Sequence, residues 1–139
     1  LQALQSLSEG CRRGRGMTYD CSCDYDPPSV FSSKMVKARK QHRCDECRRR
    51  ISAGERYSYV FGVWDGYANS FHICANCEEI RSFVSINIPC FCWAYGNMLE
   101  DAREAVEAAY MRARDEVRGL AFGYGRLLVK AERAKRAAA

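Results

Sequence analysis

The chain has 139 residues, a formal net charge of +5 and nine cysteines. With 47% hydrophobic and 28% charged residues it has the composition of a globular domain, which excludes the fibrous and disordered classes. No apolar run approaches the roughly 18 residues of a membrane span, so we do not expect an integral membrane protein. The polar start, LQALQSLSEG, is unlike a secretory signal, and residues 1–16 are expected to be a disordered tail or a non-native extension.

The chain after this tail is predicted to form loops and then a β-hairpin. Two consecutive prolines favour extended chain or loop over residues 17–33. Residues 56–64 (RYSYVFGVW) are rich in aromatic and β-branched side chains, which predicts a strand. The dipeptide Asp65-Gly66 is a strong turn signal, so residues 70–73 are expected to return as the partner strand.

The rest of the chain is predicted to be helical. A first helix, with apolar residues at helical spacing, is expected to stop at Pro89. Asn97 and Glu100 have the spacing of a capping box, which predicts the start of a long helix that ends at Gly119. Its apolar stripe would consist of Leu99, Ala102, Val106, Ala109, Ala113 and Val117.

A last helix is expected at about residues 126–136, after a break at Gly123 and Gly125. The two C-terminal helices are predicted to pack on the preceding module or on each other. They could also form a docking surface for a protein partner or a homodimer contact.

Two C-x-x-C pairs are the strongest signal in the sequence. Cys44 and Cys47 form the first pair, and Cys74 and Cys77 form the second. Four thiolates at about 2.3 Å satisfy the tetrahedral preference of zinc, and a two-residue spacer lets one turn supply two of them. Structural zinc is therefore favoured over disulfides, and the order of knuckle, hairpin and helix predicts a treble-clef module.

The C-x-C pairs are predicted to close a second zinc site. Its alternatives are half-buried thiols, or one pair that recruits His42 or His72. Cys11 has no evident partner and is expected to be free. The predicted ligands of this second site are Cys21, Cys23, Cys90 and Cys92.

Basic residues surround the first cysteine pair. Tyr57, Tyr59 and Trp64 lie nearby in sequence and could stack on bases, so the patch is a candidate nucleic-acid contact. Two other interpretations remain open: that the aromatic residues form the core of the module, and that the basic residues balance thiolate charge. The candidate contacts are Lys34, Lys37, Arg39, Lys40, Arg43, Arg48, Arg49 and Arg50.

Enzymatic activity is not expected. A metal-dependent nuclease needs a general-base histidine beside metal ligands, and only His42, Asn69 and His72 could provide such a set. No phosphate-binding glycine loop is present, because the Gly123 to Gly125 segment lacks the P-loop lysine.

These patterns predict an α+β protein: a treble-clef zinc module over residues 17–93, followed by a C-terminal α-helical hairpin over residues 94–139. The stretches CSCDYDPPSVF, KARKQHRCDEC and FGYGR resemble small cysteine-rich proteins of bacteriophages and prophages. The resemblance covers about residues 19–129.

The resemblance implies a non-enzymatic adaptor or inhibitor in the bacterial cytoplasm that binds a host protein or a protein–nucleic-acid complex. The alternative is a DNA- or RNA-binding regulator that uses the basic knuckle at residues 34–53. A metal-dependent nuclease is a minor alternative.

Overall fold

The computed structural model describes residues 4–7, 28–88, 91–115 and 118–139, with the backbone alone for residues 4–7. It is a mixed α+β structure with small antiparallel sheets and three helices. The strands are β1 (Leu4–Leu7), β2 (Val30–Lys37), β3 (His42–Arg43), β4 (Arg50–Ile51), β5 (Arg56–Trp64), β6 (Tyr67–Cys74) and β7 (Cys92–Tyr95). The helices are α1 (Ala75–Asn87), α2 (Met98–Arg112) and α3 (Arg118–Ala137).

Strand β5 is the centre of the main sheet, whose order is β2-β5-β6. The other two sheets are the pairs β3-β4 and β1-β7. Strand β1 lies within the segment predicted to be a disordered tail, but its backbone pairs with the available edge of β7. The rest of residues 1–16 lies outside the described residues.

The predicted hairpin is confirmed. Strands β5 and β6 are antiparallel and are joined at Asp65 and Gly66, which have φ angles of 49° and 82°. A tight hairpin turn whose twist matches that of its two strands requires positive φ at both central positions, and Asp and Gly tolerate this conformation. The returning strand starts at Tyr67, earlier than predicted, because the turn closes directly after Trp64.

One face of the main sheet is buried against α1. Val60 and Trp64 on β5 and Ile73 on β6 belong to the same core cluster as Ile80 and Val84 of α1. Side chains alternate between the faces of a strand, so Tyr59, Phe61 and Val63 of β5 lie on the opposite face, where they are only half-buried. Among the described residues, the main sheet is therefore packed against a helix on one side only, and its other face, called the open face, is partly exposed.

Helix α1 ends at Asn87, as the position of Pro89 predicted, but the boundary between the last two helices was predicted wrongly. Helix α2 ends at Arg112 instead of Gly119, and Ala113 has left the helical region with φ −145° and ψ 57°. Ala113 therefore lies beyond the helix, and Val117 lies outside the described residues. Helix α3 begins at Arg118 and runs without a break.

The glycines predicted to form a break before the last helix lie inside α3, and packing explains one of them. A Cβ atom at Gly123 would be only 2.5 Å from Cζ of Phe83 on α1, whereas one at Gly125 would have no neighbour within 4 Å. Gly123 thus lets α3 approach α1 closely, and burial of Leu120 and Tyr124 on the same side offsets the low helix propensity of glycine.

The predicted capping box does not form at the start of α2. Asn97 is the N-cap residue but makes no side-chain capping bond, and Glu100 pairs with Arg103 instead. The Glu46 carboxylate, which lies between the first two cysteines, accepts the N–H groups of Gly96 and Met98, the latter at 2.9 Å. A residue distant in sequence has taken the capping role, and this contact connects the knuckle to α2.

We therefore expect Glu46→Ala to lower the free energy of unfolding by about 0.5–2 kcal/mol, the usual cost of losing a helix cap. Thermal unfolding at constant metal content measures the change. Glu100→Ala is the matched control and should change stability by less than about 0.5 kcal/mol, because this side chain is exposed. A larger loss of stability in Glu100→Ala than in Glu46→Ala would show that Glu100 caps the helix, as the sequence predicted.

Among the described residues, no helix is long and apolar enough to cross a membrane.

Candidate metal centre and basic face

The four cysteines of the C-x-x-C pairs converge on one point. The Sγ atoms of Cys44, Cys47, Cys74 and Cys77 all lie within 4.8 Å of one another, and three of these residues are fully buried. The Cys47 and Cys74 sulfurs are 3.7 Å apart. A tetrahedron with metal–sulfur bonds of about 2.3 Å has edges of about 3.8 Å, so this spacing fits a metal bound by four thiolates.

Local structure explains how each pair reaches this point. Cys44 and Cys47 lie in the turn between β3 and β4, which the Cys44 N–H closes on the Arg49 carbonyl at 2.9 Å. Arg48 adopts a φ of 66° there, an uncommon conformation that a non-glycine residue takes in a tight turn. Cys74 ends β6, and Cys77 is in the first turn of α1, whose N-terminus favours thiolate charge.

The thiols of the cluster interact closely enough to shift one another's pKa. Hydrogen bonds among the thiols lower the pKa of Cys44, Cys47 and Cys74 to about 7, and the same contacts raise the pKa of Cys77. A thiolate ligand must be deprotonated, and a bound cation stabilises all four anions together. These residues are therefore compatible with one metal-binding site, in which all four positions are filled by the chain itself.

The acidic residues between the first two cysteines hold the turn in place. The Asp45 carboxylate accepts the His72 N–H at 2.7 Å, and the Asp45 N–H donates to the His72 carbonyl at 2.8 Å. Burial raises the pKa of the neighbouring Glu46 to about 7. Both carboxylates are thus used in attaching the turn to β6 and α2, not in coordinating an ion.

The second predicted zinc site stays a prediction. Cys21, Cys23 and Cys90 lie outside the described residues, as does Cys11. Cys92 opens β7 and is disulfide-bonded in this structure. Because a disulfide sulfur is not a thiolate, the predicted site requires Cys92 in its reduced form.

Most of the predicted basic patch is exposed, but one member is not. Arg49 is buried, and its guanidinium holds Glu55 through two hydrogen bonds of 2.7 and 3.2 Å. The bond to Glu55, with a smaller contribution from the nearby Cys74 thiol, raises the pKa of Arg49. Arg49 is therefore a structural residue beside the cysteine cluster. The exposed members are Lys34, Lys37, Arg39, Lys40, Arg43, Arg48 and Arg50.

Like charges face each other across strands in this patch. Arg43 on β3 is directly opposite Arg50 on β4, and Lys37 on β2 is opposite Arg56 on β5. All four side chains are exposed. Cross-strand pairs of like charge lower the stability of the folded chain, and a bound anionic ligand would neutralise this repulsion.

The aromatic residues considered for base stacking separate into two groups. Tyr57 and Trp64 are 6% and 5% exposed and belong to the core, as one of the alternative interpretations held. Tyr59 lies on the open face of the main sheet, and Phe61 lies beside it on the same strand. Sequence reasoning missed Phe61, although its position two residues after Tyr59 places both on one face of a strand.

The two histidines are stacked on each other, and Asn69 lies apart from them. The rings of His42 and His72 are 4.4 Å apart with planes inclined by 17°. Burial, His72 and Lys40 lower the pKa of His42. Asn69 is opposite Gly62 in the sheet register, whereas His72 is opposite Tyr59. Because these positions alternate, Asn69 and His72 lie on opposite faces of β6.

A groove lies between the end of α2 and the start of α3. Its volume is about 560 Å³, and its lining includes Met111 and Phe122, which are 84% and 69% exposed. Arg118 also lines it, and basic side chains such as Arg126 and Arg133 continue along α3. The groove combines exposed apolar surface with charges of both signs, since Glu107 lines it as well.

Comparison of the chain with protein-family models, with curated proteins and with solved structures found no match.

Proposed function

We propose that this protein is a non-enzymatic, zinc-stabilised module of the treble-clef type that binds nucleic acid through its basic knuckle. Four thiolates are the ligand set typical of structural zinc, and a site that the chain fills completely leaves no coordination position for a substrate or a reactive water. The zinc ion in this proposal holds the knuckle, the hairpin and α1 in one arrangement.

The observation that supports nucleic acid as the ligand is a cross-strand pair of like charges in each of two strand pairs. Arg43 lies opposite Arg50, and Lys37 lies opposite Arg56. Each pair holds two positive charges close together on the surface of a sheet. A chain of phosphates neutralises such pairs and releases its own counterions on binding. The exposed neighbours Lys40 and Arg48 extend the surface in the same region of the chain.

The test is the double variant Arg48→Gln/Arg50→Gln. We expect its nucleic-acid affinity to fall at least about tenfold at low salt, and the slope of log K against log salt to decrease by about 2, because two phosphate contacts are lost. Fluorescence anisotropy titrations of a labelled oligonucleotide at several salt concentrations measure both quantities. Unchanged metal content would show that the knuckle is intact.

Arg133→Gln/Arg136→Gln is the matched control, since it removes the same charge from exposed positions on α3. It should leave the slope nearly unchanged. Equal losses in the two double variants would mean that net charge alone drives binding, and would contradict a site on the knuckle.

A second candidate function is the adaptor or inhibitor that binds a host protein, as the resemblance to phage proteins implies. The groove between α2 and α3 favours it, because Met111 and Phe122 are highly exposed there. This exposed apolar surface suits a partner segment with apolar side chains. Such an adaptor would bind its partner equally well after Arg48→Gln/Arg50→Gln, which separates it from the first proposal.

A further inference from the structure

The open face of the main sheet carries a row of half-buried aromatic side chains. Tyr59 and Phe61 are two residues apart on the central strand, so their side chains leave the same face at backbone positions about 7 Å apart. Tyr59 also contacts the core cluster, whereas Phe61 is not among the residues packed against it. Phe61 is thus held on a rigid strand while part of its ring remains accessible.

The residues beside these rings are polar or basic. In the sheet register, Tyr59 lies between Lys34 of β2 and His72 of β6, and Phe61 lies between Ser32 and Ser70. Directly opposite residues share a face, so Lys34 is on the open face and supplies its positive charge. None of these positions is acidic. The surface combines aromatic rings, hydrogen-bonding groups and a cation.

The aromatic row is continuous with the basic knuckle. The rings of Tyr59 and His72 are 5.7 Å apart in an edge-to-face arrangement, and His72 stacks on His42 at 4.4 Å. His42 is followed directly by the exposed Arg43. A ligand on the open face would therefore extend without interruption onto the phosphate-binding surface proposed above.

We propose that this face binds the unpaired bases of single-stranded nucleic acid, with Phe61 and Tyr59 as stacking platforms. The inference rests on the proposed nucleic-acid binding and narrows the ligand from nucleic acid in general to a single strand. Stacking on a protein ring needs the flat face of a base, which a duplex hides and a single strand exposes. Two strand positions at this spacing, about twice the 3.4 Å rise between bases, can present their rings to different bases of one strand.

The experiment compares a labelled oligothymidine of about 12 nucleotides, a length within the usual site sizes, with a duplex of the same length. The wild-type chain should prefer the single strand. Phe61→Ala should weaken oligothymidine binding about 5- to 150-fold, as loss of one stacking contact does elsewhere, and leave the salt slope unchanged. Phe61→Tyr keeps a ring and should retain most of the affinity.

Tyr67→Ala is the matched control. Tyr67 is 73% exposed on the same sheet, but its register position opposite Trp64 places it on the other face. It should change affinity less than about twofold, since its ring is outside the proposed platform. Phe61 is half-buried at the surface, so circular dichroism should confirm that Phe61→Ala is folded.

The outcomes separate the two proposals. If single strand and duplex bind equally and Phe61→Ala has no effect, while Arg48→Gln/Arg50→Gln weakens binding, the stacking platform is overturned and the basic knuckle stands. If the wild-type chain binds neither oligonucleotide, the nucleic-acid function itself is overturned.

Discussion

Removal of the metal is expected to unfold the module built around the four cysteines. Structural zinc contributes about 10–16 kcal/mol in zinc-finger peptides, which equals or exceeds the 5–15 kcal/mol net stability of a typical domain. A strong chelator should therefore abolish ordered structure over about residues 40–85, including the hairpin and α1. Far-UV circular dichroism and metal analysis, followed together during chelation, measure this loss.

Cys47→Ser should have the same effect as chelation, because it removes one of the four clustered thiols. Ser70→Ala is the control and should retain metal and fold, since Ser70 is exposed and lies outside the cluster. Metal analysis of the wild-type chain should return one zinc for this cluster, and a second one only if the remaining pairs also form a site. Metal release with no change in circular dichroism would contradict a structural role.

Acidification should release the same metal. Proton competition weakens metal binding by thiolates as the pH falls, because each of the four ligands must be deprotonated to bind. The stability supplied by the metal is therefore present at neutral pH and is lost on the acidic side.

Gly123→Ala is expected to destabilise the contact between α1 and α3. The added methyl group would lie 2.5 Å from Cζ of Phe83, so either the ring or the helix must move. Overpacking of this kind usually costs about 1–3 kcal/mol, which the better helix propensity of alanine offsets by up to about 1 kcal/mol. Thermal unfolding should show a melting temperature several degrees lower than that of the wild-type chain.

Gly125→Ala is the matched control, because it makes the same change two residues further along α3 where a Cβ atom meets nothing within 4 Å. It should stabilise the protein by about 0.5–1 kcal/mol through helix propensity alone. Phe83→Leu should relieve part of the effect of Gly123→Ala, so the double variant should be more stable than the sum of the single changes predicts. Equal effects of the two glycine substitutions would contradict a close helix contact.

Spacing along the chain was enough to predict the cysteine cluster and the hairpin beside it. Two C-x-x-C pairs and the Asp65-Gly66 turn are local patterns whose geometry requires few other residues. The same local reasoning failed at Gly123, where glycine marks a close helix contact instead of a helix end. It also failed at Asn97, because the capping group comes from Glu46, which is far away in the sequence.

Surface exposure was the property that the sequence could not provide. Eight basic residues were equivalent in the sequence, but folding buries Arg49 against Glu55 and leaves the other seven exposed. Similarly, Tyr57 and Tyr59 are both tyrosines and lie on the same face of β5. Only Tyr59 reaches the open part of the sheet, because His42 lies next to Tyr57 with ring centres 5.2 Å apart.

The sequence by itself therefore determined the four cysteines that converge, the hairpin between them and the mixed α+β class. These features follow from short-range geometry and from residue types with strong local preferences. The tertiary structure decided where α2 ends, which residue caps it and which basic and aromatic side chains face solvent. Those outcomes depend on contacts between segments far apart in the chain, whose packing outweighs local preferences of about 1 kcal/mol or less.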